Sequence, residues 1–233
     1  MSGTTQAVSG AMNAHIQLQE IAARNVANVD TPGFKRNIAL MQAEAGQEQT
    51  QPTIEQVEVD FSQGPLRPTN NQLDLAIRGD GFFTIGTPQG LRYTRNGQFC
   101  LNENRVLVTQ NGSPVLSDNG EIRLPDTAET IRVSESGEVR VGDSMLGRLQ
   151  ITAFDNLQML RQAGSGEFID EGAAGPRPAV NARVEQGFFE ASNVRPIEEM
   201  VRMLASLRDF EASARSLRSI EDTAGKLYAW ARA

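Results

Sequence analysis

Cysteine and histidine are almost absent from this sequence of 233 residues, which contains one of each, Cys100 and His15. A single cysteine excludes a disulfide framework, and the pair together cannot supply the ligands of a zinc site. Cys100 follows Phe99 in a strand-like stretch, so we interpret it as a small buried hydrophobic residue. His15 lies among Gln and Ala in a helix-like stretch and is interpreted as a surface or seam residue. No metal site is predicted.

Long apolar runs and an excess of positive charge are also lacking. No stretch of 18 apolar residues occurs, which argues against membrane insertion. The net charge of −7 argues against a protein that binds nucleic acid by neutralising phosphates. The N-terminal segment has neither the basic region nor the continuous apolar core of a secretory signal, so no cleavable signal peptide is expected.

No combination of residues in the sequence indicates catalysis or cofactor binding. Asp74 and Asp80 come closest to a carboxylate pair, but they lie beside the turn Gly79–Gly81. No activated nucleophile accompanies them, so we interpret them as turn and strand-edge residues. The same turn lacks the remaining glycine and the following helix of a dinucleotide-binding loop. The sequence therefore predicts neither an enzyme nor a cofactor.

The N-terminal stretch has helical periodicity over residues 4–28. The helix is expected to end within Asp30–Gly33. Thr31 precedes a proline and is therefore biased away from helical backbone angles, and Gly33 is a flexible turn residue. Small or apolar residues recur three or four positions apart, at Ala7, Ala11, Ala14, Leu18 and Ile21. Because this stripe is mostly alanine, the helix is expected to be weak alone.

The C-terminal stretch predicts a longer helix that begins near Pro196. Ser192 and Asn193 are capping residues, and Glu198 and Glu199 favour the positive end of the helix dipole. The apolar positions are Met200, Leu204, Leu207, Phe210, Ala214, Leu217, Ile220, Ala224, Leu227 and Ala231. Their spacing is close to that of a coiled-coil seam, so the stripe needs a partner, and the N-terminal helix is the candidate within the chain. The alternative is an ordinary core helix that packs on the middle of the chain.

The middle of the chain changes to the alternating pattern of strands. Residues Leu73–Ile77 and Phe82–Ile85 predict strands, and Asn96-Gly97 and Asn111-Gly112 are hairpin turn sequences. Further short candidates are Glu121–Leu124, Thr130–Val133, Glu138–Val141 and Arg148–Phe154. Many short strands with frequent turns predict an all-β module of barrel or sandwich type.

These patterns predict an α+β protein in which the N- and C-terminal helices form a discontinuous coiled-coil domain beside a central all-β module. The charge distribution agrees, because residues 1–36 and 191–233 each sum to +1 and leave −9 for the rest. The predicted boundaries are 1–34 with 191–233 for the helical domain, 35–72 for an extended arm or linker, 73–163 for the β-rich outer domain and 164–190 for a return linker.

Four specific motifs follow one another along the chain. They are Asn25–Arg36 (NVANVDTPGFKR), Leu73–Phe83 (LDLAIRGDGFF), Tyr93–Phe99 (YTRNGQF) and Gln186–Val194 (QGFFEASNV). Each resembles a motif of the bacterial flagellar rod and hook proteins, the axial family, and together the resemblance covers essentially the whole chain. One departure is that Leu101–Arg105 lacks the glycine often found in that hairpin, so a tight two-residue turn is not expected there.

The resemblance implies a structural subunit of the bacterial flagellar basal-body rod, which spans the periplasm and transmits torque. Such a subunit is passed through the flagellar export apparatus and self-assembles with other rod subunits and adjacent basal-body components. Its terminal helices are expected to pack as coiled-coil layers around the export channel, with the β domain outside them. The family has no catalytic residues to carry over to this chain.

Two groups of residues are predicted to carry this function. The assembly residues are Leu18, Ile21, Asn25, Asn28, Met200, Leu204, Leu207, Phe210, Leu217 and Leu227. The joint between the helix and the β module comprises Thr31, Pro32, Gly33 and Phe34. Asn25 and Asn28 are one helical turn apart and are expected to cap or bridge to backbone groups of a neighbour.

The length of the chain leaves no room for the added outer domains of a hook subunit. Asn193–Val201 and Arg208–Glu211 are more similar to the proximal rod subunits of the family than to the distal ones. A distal rod subunit is the alternative. A secreted carbohydrate-binding or adhesin β-module is a second alternative, which explains the middle of the chain but does not require its helical ends.

Overall fold

The structure, a computed structural model, describes residues 2–42, 53–126, 130–164 and 166–230. Over these residues it contains the helices α1 (Ser2–Ala27) and α2 (Pro196–Trp230), nineteen short strands and one 3₁₀ turn, Leu157–Met159. The strands are β1 (Asn37–Gln42), β2 (Thr53–Val59), β3 (Leu66–Pro68), β4 (Leu75–Arg78), β5 (Phe82–Thr87), β6 (Gly90–Thr94), β7 (Phe99–Leu101), β8 (Leu107–Thr109), β9 (Leu116–Ser117), β10 (Gly120–Glu121), β11 (Ile131–Val133), β12 (Glu138–Val141), β13 (Ser144–Arg148), β14 (Ile151–Phe154), β15 (Leu160–Gln162), β16 (Glu167–Asp170), β17 (Pro176–Pro178), β18 (Arg183–Gln186) and β19 (Phe188–Glu190). This content confirms the α+β class.

The chain divides into two compact units. The helical unit comprises Met1–Ala27, Asn37–Asp60 and Val194–Ala233, and therefore joins both ends of the chain to an internal segment. The β unit comprises Asn28–Arg36 and Phe61–Asn193. Each unit is thus assembled from segments that are far apart in the sequence.

In the helical unit, α1 and α2 pack against each other and run antiparallel. The Ser206 hydroxyl donates a hydrogen bond of 2.7 Å to the His15 carbonyl, while Asn25, later on α1, bonds to Glu199, earlier on α2. The covered positions of α1 include Ala11, Ala14, Leu18, Ile21 and Ala22. This confirms the apolar face that the sequence predicts for the first helix, and it places His15 beside the seam.

The covered face of α2 coincides with the predicted stripe at Phe210 and Leu217 and differs from it at the start of the helix. Its covered positions include Glu199, Met203, Ser206, Phe210 and Leu217. Met200, Leu204 and Leu207 are 47%, 53% and 43% exposed, so the expectation that α1 covers them is wrong. The physical reason is that α1 offers polar partners, the Asn25 amide and the His15 carbonyl, which bond to Glu199 and Ser206. The side chain of Leu227 lies outside the described residues.

Strands β1 and β2 form an antiparallel pair in the helical unit, with Asn37 opposite Val59 and a bulge between Leu40 and Met41. The structure therefore corrects the interpretation of residues 35–72 as an extended linker. The pairing was missed because the Gln- and Glu-rich stretch between the two strands carries no hairpin turn sequence.

The β unit is built from short antiparallel strands. Its largest sheet has the order β15-β16-β6-β5-β14-β17, and β11-β12-β13 form a second sheet. Two-stranded pairs complete the described part of the unit: β9 with β10, β18 with β4, β19 with β3, and β7 with β8. Strands β16, β18 and β19 pair with β6, β4 and β3, and β17 pairs with β14. Residues 164–190 therefore contribute strands to the β unit and do not form the predicted return linker.

Strand β5 separates two apolar clusters because successive side chains of a strand point to opposite faces. Phe83 belongs to the main core, where its ring meets Phe99 at 5.1 Å between centroids. Phe82 belongs to an aromatic cluster and lies 5.6 Å from Phe168 and 5.9 Å from Phe154. The main core comprises Leu75, Ile77, Phe83, Ile85, Phe99, Leu107, Val115, Ile122, Leu124, Val139, Val141, Leu149 and Val184.

Turn sequences were predicted with mixed success. Gly112 has φ +81°, and its N–H donates 2.9 Å to the Thr109 carbonyl, as the Asn-Gly pattern predicts. Asn96-Gly97 does not close a hairpin, because β6 pairs with β5 and β16 while β7 pairs with β8. Glycine is needed at position 97 because the backbone passes close to Leu75, where an added Cβ would lie 1.6 Å from the Leu75 carbonyl oxygen.

The β7–β8 connection confirms that no tight two-residue turn occurs where the family's glycine is missing. The Asn102 side-chain oxygen accepts hydrogen bonds from the backbone N–H groups of Asn104 and Val106. Arg105 adopts φ +58°, a left-handed conformation that glycine would adopt without strain. Cys100 on β7 is half-buried, with its Sγ 3.7 Å from the Thr109 carbonyl oxygen.

Candidate assembly site and domain joint

An apolar stripe lies exposed on the first third of α2. Ile197 is 77% exposed and Val201 60%, in addition to Met200, Leu204 and Leu207. These residues follow a helical spacing of three or four, so they form one continuous surface along the helix. A contiguous apolar surface on a soluble unit marks an interaction site more often than scattered single residues do. Met200, Leu204 and Leu207 do not lie in the seam with α1, and their role in assembly stays a prediction.

The other predicted assembly residues lie in different surroundings. Phe210 and Leu217 are half-buried on the face of α2 that packs on α1, and Leu18 and Ile21 are half-buried on α1. Leu18 and Ile21 also line a groove of about 470 Å³ in the helical unit. The structure thus assigns Phe210 and Leu217 to packing within the subunit and leaves the stripe and the groove as the open surfaces.

Asn25 joins three elements of the helical unit. Its Nδ2 donates to the Asn37 carbonyl at 2.8 Å and to Glu199 Oε2 at 3.1 Å, and its Oδ1 accepts from the Asn37 N–H at 2.8 Å. Asn25 is fully buried and Glu199 is 1% exposed. The prediction that Asn25 bridges to a neighbouring subunit is therefore wrong, because its side chain is enclosed within its own chain. It holds α1, β1 and α2 together.

Asn28 and Thr31 form the turn that follows α1. The Thr31 N–H donates to the Asn28 carbonyl at 3.1 Å, and its hydroxyl bonds to Asn28 Oδ1 at 3.2 Å. The Phe34 N–H then donates to the Thr31 carbonyl at 3.2 Å. These bonds confirm a turn at the position where the sequence predicts the helix to end, and Phe34 is anchored with only 4% of its surface exposed.

Gly33 occupies a position that requires glycine. It has φ +69°, and an added Cβ would lie 2.3 Å from the backbone nitrogen of Asn96. Its own N–H donates 2.7 Å to the carbonyl of Glu190. Both the backbone conformation and the close approach therefore exclude a side chain at Gly33, while the role of this segment as a joint stays a prediction.

A buried charge cluster surrounds Glu190 in the β unit. The Lys35 ammonium lies 2.6 Å from Glu190 Oε1, which also accepts from the Gly64 N–H at 2.9 Å. Arg95 Nη1 donates to Glu190 Oε2 at 3.2 Å, and its guanidinium lies over the Phe82 ring at 5.2 Å from the centroid. Burial lowers the pKa of Arg95 below its ordinary value, and Glu190 opposes that shift. Because a guanidinium is charged at all ordinary pH values, one carboxylate here serves two cations.

Sequence reasoning missed the buried charge cluster of Lys35, Arg95 and Glu190 in the β unit, and it also missed the burial of Glu199 in the helical unit. Lys35 carried a weak signal, because it is one of only two lysines beside twenty arginines and lies in the first motif. Arg95 and Glu190 also lie inside two of the quoted motifs. Their pairing could not be read from spacing, since Lys35 and Glu190 are separated by 155 positions.

Three family models match this chain, one near its N-terminal end, one in its middle and one near its C-terminal end. They are flagella basal body rod protein at residues 6–35, flagellar hook protein FlgE/F/G D1 domain at 76–141, and flagellar basal body rod FlgEFG protein C-terminal at 185–228. The flagellar basal-body rod protein FlgF of Caulobacter vibrioides is 33% identical over 85% of both chains. This chain belongs to the flagellar basal-body rod protein family.

Other rod proteins are similar to the same extent. FlgG of Buchnera aphidicola from Acyrthosiphon pisum is 32% identical over 89% of this chain and 91% of its own. FlgF of Escherichia coli is 30% identical over 93% of both. The comparisons therefore establish a structural rod subunit, while FlgF-like and FlgG-like relatives occur at comparable identity.

The matches place the rod family's segments on both units of this rod protein. The N-terminal match covers most of α1 and the Asn28–Phe34 turn, and the C-terminal match covers β19 and nearly all of α2. The exposed stripe, Gly33 and Glu190 therefore all lie in segments characteristic of the family. Within the described residues, neither helix is apolar enough over 18 residues to cross a membrane.

Proposed function

We propose that this rod protein self-assembles through its helical unit, with α1 and α2 forming coiled-coil layers around the export channel. The observation that carries the proposal is the exposed stripe on α2, which α1 leaves uncovered although the two helices pack together. Neighbouring rod subunits and adjacent basal-body components are the partners that cover it. The β unit then lies outside the helical layers, and the assembled rod transmits torque across the periplasm.

The free energy of assembly comes from the surfaces that the isolated subunit leaves in water. Burial of apolar surface stabilises an association by roughly 25 cal/mol per Å². With 35 residues at about 1.5 Å each, α2 is roughly 50 Å long and offers this surface to more than one neighbour. We infer that complete ordering of the helical ends is coupled to assembly, which suits a chain that passes through a narrow secretion channel.

The proximal part of the rod is the proposed location. Support comes from Asn193–Val201, in which Pro196 begins α2, and from Arg208–Glu211 in the middle of the helix. The distal rod is the second candidate, and the FlgG relatives at comparable identity favour it. The two locations share the same assembly chemistry and differ in their neighbours.

Export without a cleaved signal peptide is part of the same proposal. The flagellar export apparatus is the proposed partner for this step, because a rod subunit is added beyond the membrane. The measurement is the N-terminal sequence and mass of the protein recovered from assembled basal bodies. A processed N-terminus would contradict the proposal.

The deciding experiment is complementation of a strain that lacks this chain, followed by imaging of purified basal bodies. We expect restored motility and extra density from a tag inserted at the exposed Gly172 loop of the β unit. Density at the base of the rod supports the proximal location, and density beside the hook supports the distal one. Basal bodies that are complete without this protein would contradict the rod function.

A further inference from the structure

A cleft of about 800 Å³ opens on the surface of the β unit. It is lined by three stretches: the turn between β11 and β12, the segment from the end of β13 into β14, and the segment from β17 to the start of β18. All of these residues belong to the β unit, so no residue of the helical unit lines the cleft. Its volume lies within the range of typical ligand sites, roughly 300–1,000 Å³.

Arginines supply most of the charge in this cleft. The charged residues that line it are Arg148, Arg177, Arg183 and Glu135. Three positive groups thus face one negative group, although the whole chain has a net charge of −7. A cleft concentrates the electric field of its lining charges, so this one attracts an anionic ligand.

Each of the three guanidinium groups is only partly engaged within the described residues. Each forms an ion pair through a single nitrogen: Arg148 with Glu138 at 2.8 Å, Arg177 with Asp155 at 2.8 Å, and Arg183 with Glu135 at 3.4 Å. The arginine side chains are 51–69% exposed, and ion pairs at such exposure contribute little to stability. Because a guanidinium has five N–H donors, most of its donors remain open to a further carboxylate.

Apolar groups fill the space between these charges. Leu149 is 4% exposed and lies on the floor with Ile151, while Val180 is 85% exposed at the rim. Strand β17, at the edge of the largest sheet, contains Pro176 and Pro178. Proline has no N–H to donate to a neighbouring strand, so a ligand is not held here by continuous strand pairing. Side chains must recognise it instead.

The arrangement suits a peptide with several carboxylates better than an isolated anion. The three arginines lie at the end of β13, in the middle of β17 and at the start of β18, so they belong to three separate strands around the cleft. A single phosphate needs donors that converge on one point. Charges separated by an apolar floor match carboxylates separated by apolar side chains, and the planar guanidinium fork matches a carboxylate in two-point contact.

We propose that this cleft binds an acidic, extended peptide segment of a partner protein. Arg148, Arg177 and Arg183 pair with its carboxylates, and the floor around Leu149 and Ile151 receives its apolar side chains. The site goes beyond the proposed rod function, because it gives the β unit a binding activity that uses none of the helical residues assigned to assembly.

Fluorescence anisotropy of a labelled peptide tests this site in the full-length protein. The probe is a short peptide of alternating glutamate and valine, and the same peptide with glutamine in place of glutamate is its control. We expect saturable binding of the acidic peptide that weakens as salt is added, and no binding of the glutamine peptide. Arg177→Met and Arg183→Met should each raise the Kd of the acidic peptide about tenfold.

Arg161→Met is the matched control variant. Arg161 is also about as exposed and forms an ion pair with Glu171, but it does not line the cleft. Its substitution should leave the Kd unchanged. All three arginine variants remove exposed ion pairs, so their thermal midpoints should stay at that of the unmodified chain. Val180→Asp places a carboxylate at the rim and should weaken binding of the acidic peptide.

Each contrary outcome overturns a specific part of the proposal. Equal binding of the glutamine peptide would show that charge does not select the ligand. Equal weakening by Arg161→Met and Arg177→Met would show that attraction is spread over the surface and not localised in the cleft. Displacement of the peptide by an equal concentration of inorganic phosphate would assign the cleft to single anions. None of these outcomes bears on the rod function, which depends on the helical unit.

Discussion

The ammonium group of Lys35 lies 2.6 Å from the carboxylate of Glu190, and each side chain is only 1% exposed. Burying two charges costs more free energy than their attraction returns unless further hydrogen bonds complete their coordination. Here the Lys35 ammonium also donates to the Ser62 carbonyl at 2.7 Å, and Glu190 also binds Arg95. The cluster thereby ties the first segment of the β unit, near Gly33, to its last strand. The points at which the chain enters and leaves this unit are fixed by one carboxylate.

Glu190→Gln is expected to destabilise the β unit strongly. The substitution keeps the side-chain volume but leaves the cations of Lys35 and Arg95 buried without a carboxylate, which costs about 3–5 kcal/mol. Hydrogen exchange of the Phe83 and Ile85 amides, both in the core of the unit, measures the free energy of its opening. As the control, Arg161→Met removes an exposed ion pair with Glu171 and should change that value by less than about 1 kcal/mol. Equal effects of the two substitutions would contradict the role of the cluster.

Asn25→Ala is expected to loosen the helical unit without affecting the β unit. It removes hydrogen bonds to both backbone groups of Asn37 and to the buried Glu199 carboxylate, and unsatisfied buried groups cost about 1–3 kcal/mol each. The thermal midpoint of helical ellipticity should fall by several degrees. Gln17→Ala, at an exposed position of α1, is the control and should leave the midpoint in place. An unchanged midpoint for Asn25→Ala would show that the network contributes nothing.

Local sequence patterns predicted the helices and strands of this fold better than they predicted which elements pack or pair with one another. The spacing of Ala11, Ala14 and Leu18 gave the covered face of α1, and the pattern of Glu138–Val141 gave β12 with the bounds that the structure has. Those features depend on residues within one turn or one strand. The rotation of α2 and the pairing of β1 with β2 depend on partners elsewhere in the chain, so periodicity alone could not assign them.

The buried charges escaped prediction for a related reason. Glu199 has the sequence signature of a helix N-terminus, where an exposed carboxylate is favoured by the helix dipole. Its burial follows only from the position of Asn25, which is 174 residues away. The turn after α1 was predicted more fully, because Pro32 and Gly33 restrict the backbone by themselves and require no distant partner.

Tyr93 is expected to make the β unit less stable in alkali. Burial, followed by the carboxylate of Asp170, raises the pKa of Tyr93 above its ordinary value of 10.0. The folded chain then retains a proton that the unfolded chain has lost, so this contribution is fully present below pH 10.0 and declines as the pH rises towards the folded-state pKa. Absorbance of the phenolate in a Tyr228→Phe background, which leaves Tyr93 as the only tyrosine, measures the value directly.

The matching control is Tyr93→Phe, which removes the ionisable hydroxyl but keeps an aromatic ring beside Phe154. In the unmodified chain the centroids of the Tyr93 and Phe154 rings are 4.8 Å apart. Its stability should decline less between neutral and alkaline pH than that of the unmodified chain. Ionisation of Tyr93 at or below its ordinary pKa in the folded protein would contradict the prediction.

Leu204→Asp and Leu217→Asp are expected to abolish motility by different routes. Leu204 is 53% exposed on the stripe, so a carboxylate there should leave the free subunit as stable as before and block its contact with a neighbour. Leu217 is half-buried on the face of α2 that packs on α1, so a carboxylate at that position should lower the stability of the subunit itself. Thermal unfolding followed at 222 nm separates the two effects.

Met159→Asp, at a 53% exposed apolar position of the β unit, is the control for the added charge and should support normal motility. If Leu204→Asp restores motility in a strain that lacks the chain, the stripe is not an assembly surface. If it lowers the thermal midpoint as much as Leu217→Asp does, the stripe contributes to the subunit itself.

Gly33→Val is expected to permit export but prevent incorporation into the rod. An added Cβ would meet the backbone of Arg95 and Asn96 at 2.3–2.8 Å, and φ +69° is strongly unfavourable for a β-branched residue. The turn must therefore move, and with it the Gly33 N–H that bonds to the Glu190 carbonyl. Export requires an unfolded or loosely folded chain and should tolerate the change, whereas a lattice of identical subunits should not.

Gly172→Val separates the effect of backbone strain from the effect of a collision between the added side chain and neighbouring backbone. Gly172 has φ +96°, but an added Cβ there has nothing within 4 Å, so the substitution introduces backbone strain without a collision. We expect this variant to be both secreted and incorporated, because its turn is far from the Glu190 cluster in sequence and free to adjust. Secretion assays paired with purification of basal bodies measure both steps. Gly33→Val protein present in purified rods at the level of Gly172→Val would show that Gly33 occupies an ordinary turn, and that the joint does not set the geometry of assembly.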